Sequence, residues 1–96
     1  MGELYYAKER FTTAARELNT GAGHIQRRLV NVRNELLTLG GGMVPDEIQE
    51  AFGALMQRLA GAETLPDAEA SEVAGEVLAL DAEVAALIRG ADATPR

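Results

Sequence analysis

The chain has 96 residues, 47% of them hydrophobic but only 4% aromatic, and a formal net charge of −6. Its length is that of one domain with a modest core, and its apolar content, mostly Ala and Leu, favours an all-α class. It has no cysteine, which excludes disulfides, thiol catalysis and thiolate metal sites.

In the first segment the apolar residues Leu4, Ala7, Phe11, Ala14 and Leu18 alternate steps of three and four, the spacing of one helical face. This predicts a helix over residues 3–18. The stripe Ile25, Leu29, Val32, Leu36 and Leu39 predicts a second over 24–39. Leu4, Phe11, Leu18, Ile25, Val32 and Leu39 are each seven apart, as in a single long helix. Asn19, Thr20, Gly21 and Gly23 argue for a break instead, because each glycine costs roughly 1 kcal/mol in a helix interior. A long kinked helix over both segments is the alternative.

After "GGG" at 40–42, read as a helix end and turn, Pro45 in the first turn and the acids Asp46 and Glu47 open a third helix, 45–60, with the stripe Ile48, Phe52, Leu55 and Leu59. After Pro66 a fourth, 67–89, carries Val73, Val77, Leu80, Val84 and Leu87. Four amphipathic stripes on short connections imply a four-helix antiparallel bundle, a single domain over 1–90 with a frayed tail, 91–96. Its expected core is Phe11, Leu18, Ile25, Leu29, Val32, Leu36, Ile48, Phe52, Leu55, Leu59, Val77, Leu80 and Val84.

Little here is chemistry. His24 is the single histidine and has no Glu-x-x-His or His-x-x-x-His companion. Its place after Gly23 reads as a helix start rather than a catalytic or metal-binding position. The glycines lack the Gly-Lys-Ser/Thr of a phosphate loop. No catalytic residue, metal ligand or cofactor is expected, and the chain is not read as an enzyme.

Charge is uneven. Residues 1–40 carry six Lys/Arg against four acids, a balance of +2, and residues 41–96 three arginines against eleven acids, a balance of −8. Arg27, Arg28 and Arg33 are the candidate ionic contacts, expected to meet the acidic half within the chain or across a dimer. Three arginines without aromatic neighbours on an acidic chain are a poor nucleic-acid footprint. Apolar residues outside the narrow stripes (Tyr5, Tyr6, Val30, Leu37, Met56, Leu78 and Ile88) are candidate interface positions, for a two-fold homodimer or a larger protein partner. "MGELYYAKERF" lacks the apolar run of a signal peptide, and no segment approaches the roughly 18 apolar residues of a membrane span. A cytoplasmic protein of bacterial type is the expectation, with no membrane association.

Three segments, "YYAKERF", "GAGHIQRRL" and "VPDEIQEAFGALMQRL", resemble a group of short bacterial all-helical proteins with no attached activity. The likeness implies a helix start at 23–25; His24 and Arg27 stand where a capping-box serine and glutamate can occur in that group. The central turn "LTLGGGM" resembles the WXG100-type secreted helical hairpins, although the motif tryptophan is missing. "AARELNTGAGHIQRRLVNVRNELL" is similar to the phosphoacceptor helix of sensor histidine kinases, with Asn19 in place of the reactive histidine. The expected function is a non-enzymatic helical protein-interaction or regulatory module. The alternatives are a WXG100-like secreted hairpin and a small acidic inhibitor or accessory subunit of a nucleic-acid enzyme.

Overall fold

The computed structural model describes residues 2–20, 23–39 and 43–92. The protein is an all-α four-helix bundle: α1 (Gly2–Thr20), α2 (Ile25–Leu36), α3 (Gln49–Ala60) and α4 (Asp67–Asp92). It measures 49 × 23 × 21 Å. Among the described residues there is no strand.

The first break is local chemistry. Gly23 has φ +97°, a conformation costly for any residue with a Cβ, and His24 is extended at φ −68°, ψ 163°. These two residues separate α1 from α2, so the single kinked helix does not form. The His24 carbonyl accepts the first bond of α2, from Arg28 N at 3.1 Å, while its side chain makes no capping bond. Gly21 and Ala22 lie outside the described residues, as do Gly40–Gly42, on which the "GGG" turn was read.

Each of the four helices differs in its bounds from the sequence expectation. α1 runs Gly2–Thr20 instead of 3–18, so Asn19 and Thr20, expected in the break, are helical. α2 closes at Leu36, and residues 37–39 continue as tighter turns, with Thr38 N bonded to Glu35 O at 3.3 Å and Leu39 N to Leu36 O at 3.0 Å. Pro45 precedes the third helical segment instead of entering its first turn. Its carbonyl accepts from Ile48 N at 3.0 Å, giving a 3₁₀ turn over Asp46–Ile48 before α3. α4 runs to Asp92, two residues past the expected domain edge; residues 93–96 lie outside the described residues. Pro66 behaves as the sequence suggests, its carbonyl taking the first bond of α4 from Ala70 N at 2.9 Å.

Contacts fix the topology. Glu17 meets Asn31 and Arg10 meets Glu35, so α1 and α2 are antiparallel. Arg58 meets Glu72 and Glu76 across the short connection from α3, so α3 and α4 form a second antiparallel hairpin. The N-terminal part of α2 lies beside that of α4, where Gln26 Nε2 donates to Asp67 Oδ1 at 2.7 Å. The helices therefore alternate in direction around the bundle. Phe11 and Phe52 meet edge to face across it, 5.9 Å between centroids at 73°, the favoured geometry of an aromatic pair.

The core is aliphatic around Phe11, and no polar or charged side chain is buried among the described residues. Eleven of the thirteen expected core residues are buried; Ile25 and Phe52 are not, and pack half-buried against the cluster. Ile25 opens α2 at an end of the bundle, and Phe52 lies on the flank of α3 that faces α2. Val44 and Ala62 are buried although both lie in connections. The stripes gave no reason to expect that, because a residue outside a helix has no periodic face.

Candidate interaction surface

The two flanks of α2 differ. On one, Arg28, Asn31 and Glu35, spaced three and four apart, all bond to α1. Arg28 Nη1 donates to Leu18 O at 2.7 Å, Asn31 Nδ2 to Glu17 Oε1 at 3.0 Å, and Glu35 accepts from Arg10. Arg28 thus caps a terminal carbonyl of α1 that has no partner within its own helix. The α3–α4 seam is closed similarly, by Arg58 between Glu72 and Glu76.

The other flank of α2 is Gln26, Val30, Arg33 and Leu37, spaced four, three and four apart. Gln26 pins this row toward the α3–α4 half by donating to Leu65 O at 2.9 Å. On α3, Arg58 faces α4, so the opposite row, Phe52 and Met56, faces α2. The α2–α3 seam is therefore flanked by Val30 and Leu37 on one side and Phe52 and Met56 on the other. Leu37 is 54% exposed, and Met43, in the connection, 41%. Val30, Phe52 and Met56 are half-buried.

The seam across the bundle, between α1 and α4, has the same character. Lys8 Nζ meets Asp81 Oδ1 at 2.8 Å, and three residues before each stand Tyr5, 53% exposed, and Leu78, 43% exposed. On α4 the surface continues from Ser71 through Gly75, Ala79, Ala82 and Ala86 without a charge. Polar contacts thus close the seams within each hairpin, and the two seams between hairpins expose large apolar side chains.

The candidate interface residues divide accordingly. Tyr5, Leu37 and Leu78 are exposed, whereas Tyr6, Val30, Met56 and Ile88 are half-buried against the core. Tyr6 is partly covered by Arg10, whose guanidinium carbon stands 5.4 Å from the ring centroid. Met43 follows the run Gly40–Gly42 in the sequence and belongs to no stripe, so the periodicity does not single it out.

Comparison with protein-family models, curated proteins and solved structures finds no match for this chain. Its own geometry therefore carries the functional argument.

Within the chain, the expected ionic contacts of Arg27, Arg28 and Arg33 with the acidic half do not form among the described residues. Arg28 bonds to a backbone carbonyl, and neither Arg27 nor Arg33 forms an ion pair among the described residues. Lys8, Arg10 and Arg58 form the ion pairs, and of these only Lys8–Asp81 joins the basic half to the acidic half. The reason is position. The cations that pair each face a carboxylate on a neighbouring helix, Asp81 for Lys8, Glu35 for Arg10, Glu72 and Glu76 for Arg58, and the periodicity alone does not say which neighbour that is. A hydrogen bond to Glu9 raises the Arg10 pKa above its ordinary value. Partial desolvation opposes this rise, and the charge of Glu35 adds to it. Arg10 is therefore cationic across the accessible pH range.

His24 is exposed at the start of α2. No group of three or more His, Cys, Asp or Glu side chains close enough to hold a metal occurs among the described residues. A shallow depression of about 280 Å³ is lined by Glu47, Ile48, Glu83, Ala86 and Leu87, at the start of α3 and toward the end of α4. It holds two carboxylates and no nucleophile or base of another kind. No described helix is long and apolar enough to cross a membrane.

Proposed function

We propose that the protein is a non-enzymatic protein-interaction module that works by presenting helical surface to another protein. The observation that carries this is the exposure of Tyr5, Leu37, Met43 and Leu78 along the two seams between its hairpins. Large apolar groups in such positions are covered in a complex and lose water contact there. The buried interior is wholly apolar among the described residues, so function falls to the surface. A row of acids on α4, Glu69, Glu72, Glu76 and Glu83, is what favours the second reading, an acidic accessory subunit of a nucleic-acid enzyme. Arg58 neutralises part of that row, which weighs toward the first.

The test is affinity capture with mass spectrometry, alongside a measurement of self-association, for the wild type and for Leu37→Glu and Leu78→Glu. Binding of a defined protein, or of a second copy, that one of these variants abolishes while its helical content is kept is the expected result. A chain that binds neither, at any concentration, would defeat the proposal.

A further inference from the structure

We draw no further inference here: the strongest candidate, the exposed outer face of α4 that runs from Ser71 through Gly75, Ala79, Ala82 and Ala86 with Leu78 at its edge, is a stripe of small side chains, and nothing in the structure shows what covers it.

Discussion

The edge-to-face pair of Phe11 and Phe52 offers the sharpest test of how the hairpins meet, because it joins the diagonally opposed α1 and α3. Phe11 is fully buried, so truncation to alanine leaves a cavity that surface relaxation cannot fill, at a cost of about 4 kcal/mol. Phe52 is half-buried, part of its ring already meets water, and the same truncation should cost about 2 kcal/mol. That is below the roughly 3 to 5 kcal/mol appropriate to a fully buried ring. A chain of this size has on the order of 5 to 14 kcal/mol in total, so Phe11→Ala removes a large share and stays measurable only near the upper end. Phe11→Leu serves as the milder variant. In a double-mutant cycle the two truncations should cost less together than the sum of the singles by about 1 kcal/mol, the worth of an aromatic pair beyond its buried area. Urea unfolding followed by circular dichroism at 222 nm gives all four stabilities, with the m-value as a check that the transition keeps its character. Additivity within about 0.3 kcal/mol would mean that the rings do not touch in solution and that α3 sits differently against α1.

Gly23→Ala should destabilise by about 1 to 2 kcal/mol, because φ +97° is strained for alanine, and a thermal melt measures it. Gly53→Ala and Gly75→Ala should each stabilise by about 0.5 to 1 kcal/mol, since both are helical and nothing lies within 4 Å of the added methyl; a fall in Tm for either would contradict the open space described. Arg28→Ala should cost about 1 to 2 kcal/mol in urea unfolding by freeing the Leu18 carbonyl at the end of α1, and Arg28→Lys should recover only part of it. His24→Ala should change stability by less than about 1 kcal/mol and leave partner binding intact; loss of biological activity with the fold preserved would reopen the case for a functional histidine.

The helices and their breaks were legible in the sequence because both are local properties. Leu29, Val32 and Leu36 share a face through the 3.6-residue period alone, and Gly23, Pro45 and Pro66 interrupt the chain through their own backbone restrictions. The exposed members of the candidate site, Tyr5, Leu37 and Leu78, were legible for the same reason: they fall outside the narrow stripe of their segment. What the period does not contain is the order of helices around the bundle, and hence which flank of a helix meets which neighbour. That order sends Arg28 to the Leu18 carbonyl and not to a carboxylate, and leaves Arg27 and Arg33 outside the ion pairs. It half-covers Val30 and Met56, and it buries Val44 and Ala62 in connections that have no face of their own. Packing around one shared core depends on residues far apart in the chain, and only the tertiary structure brings them together.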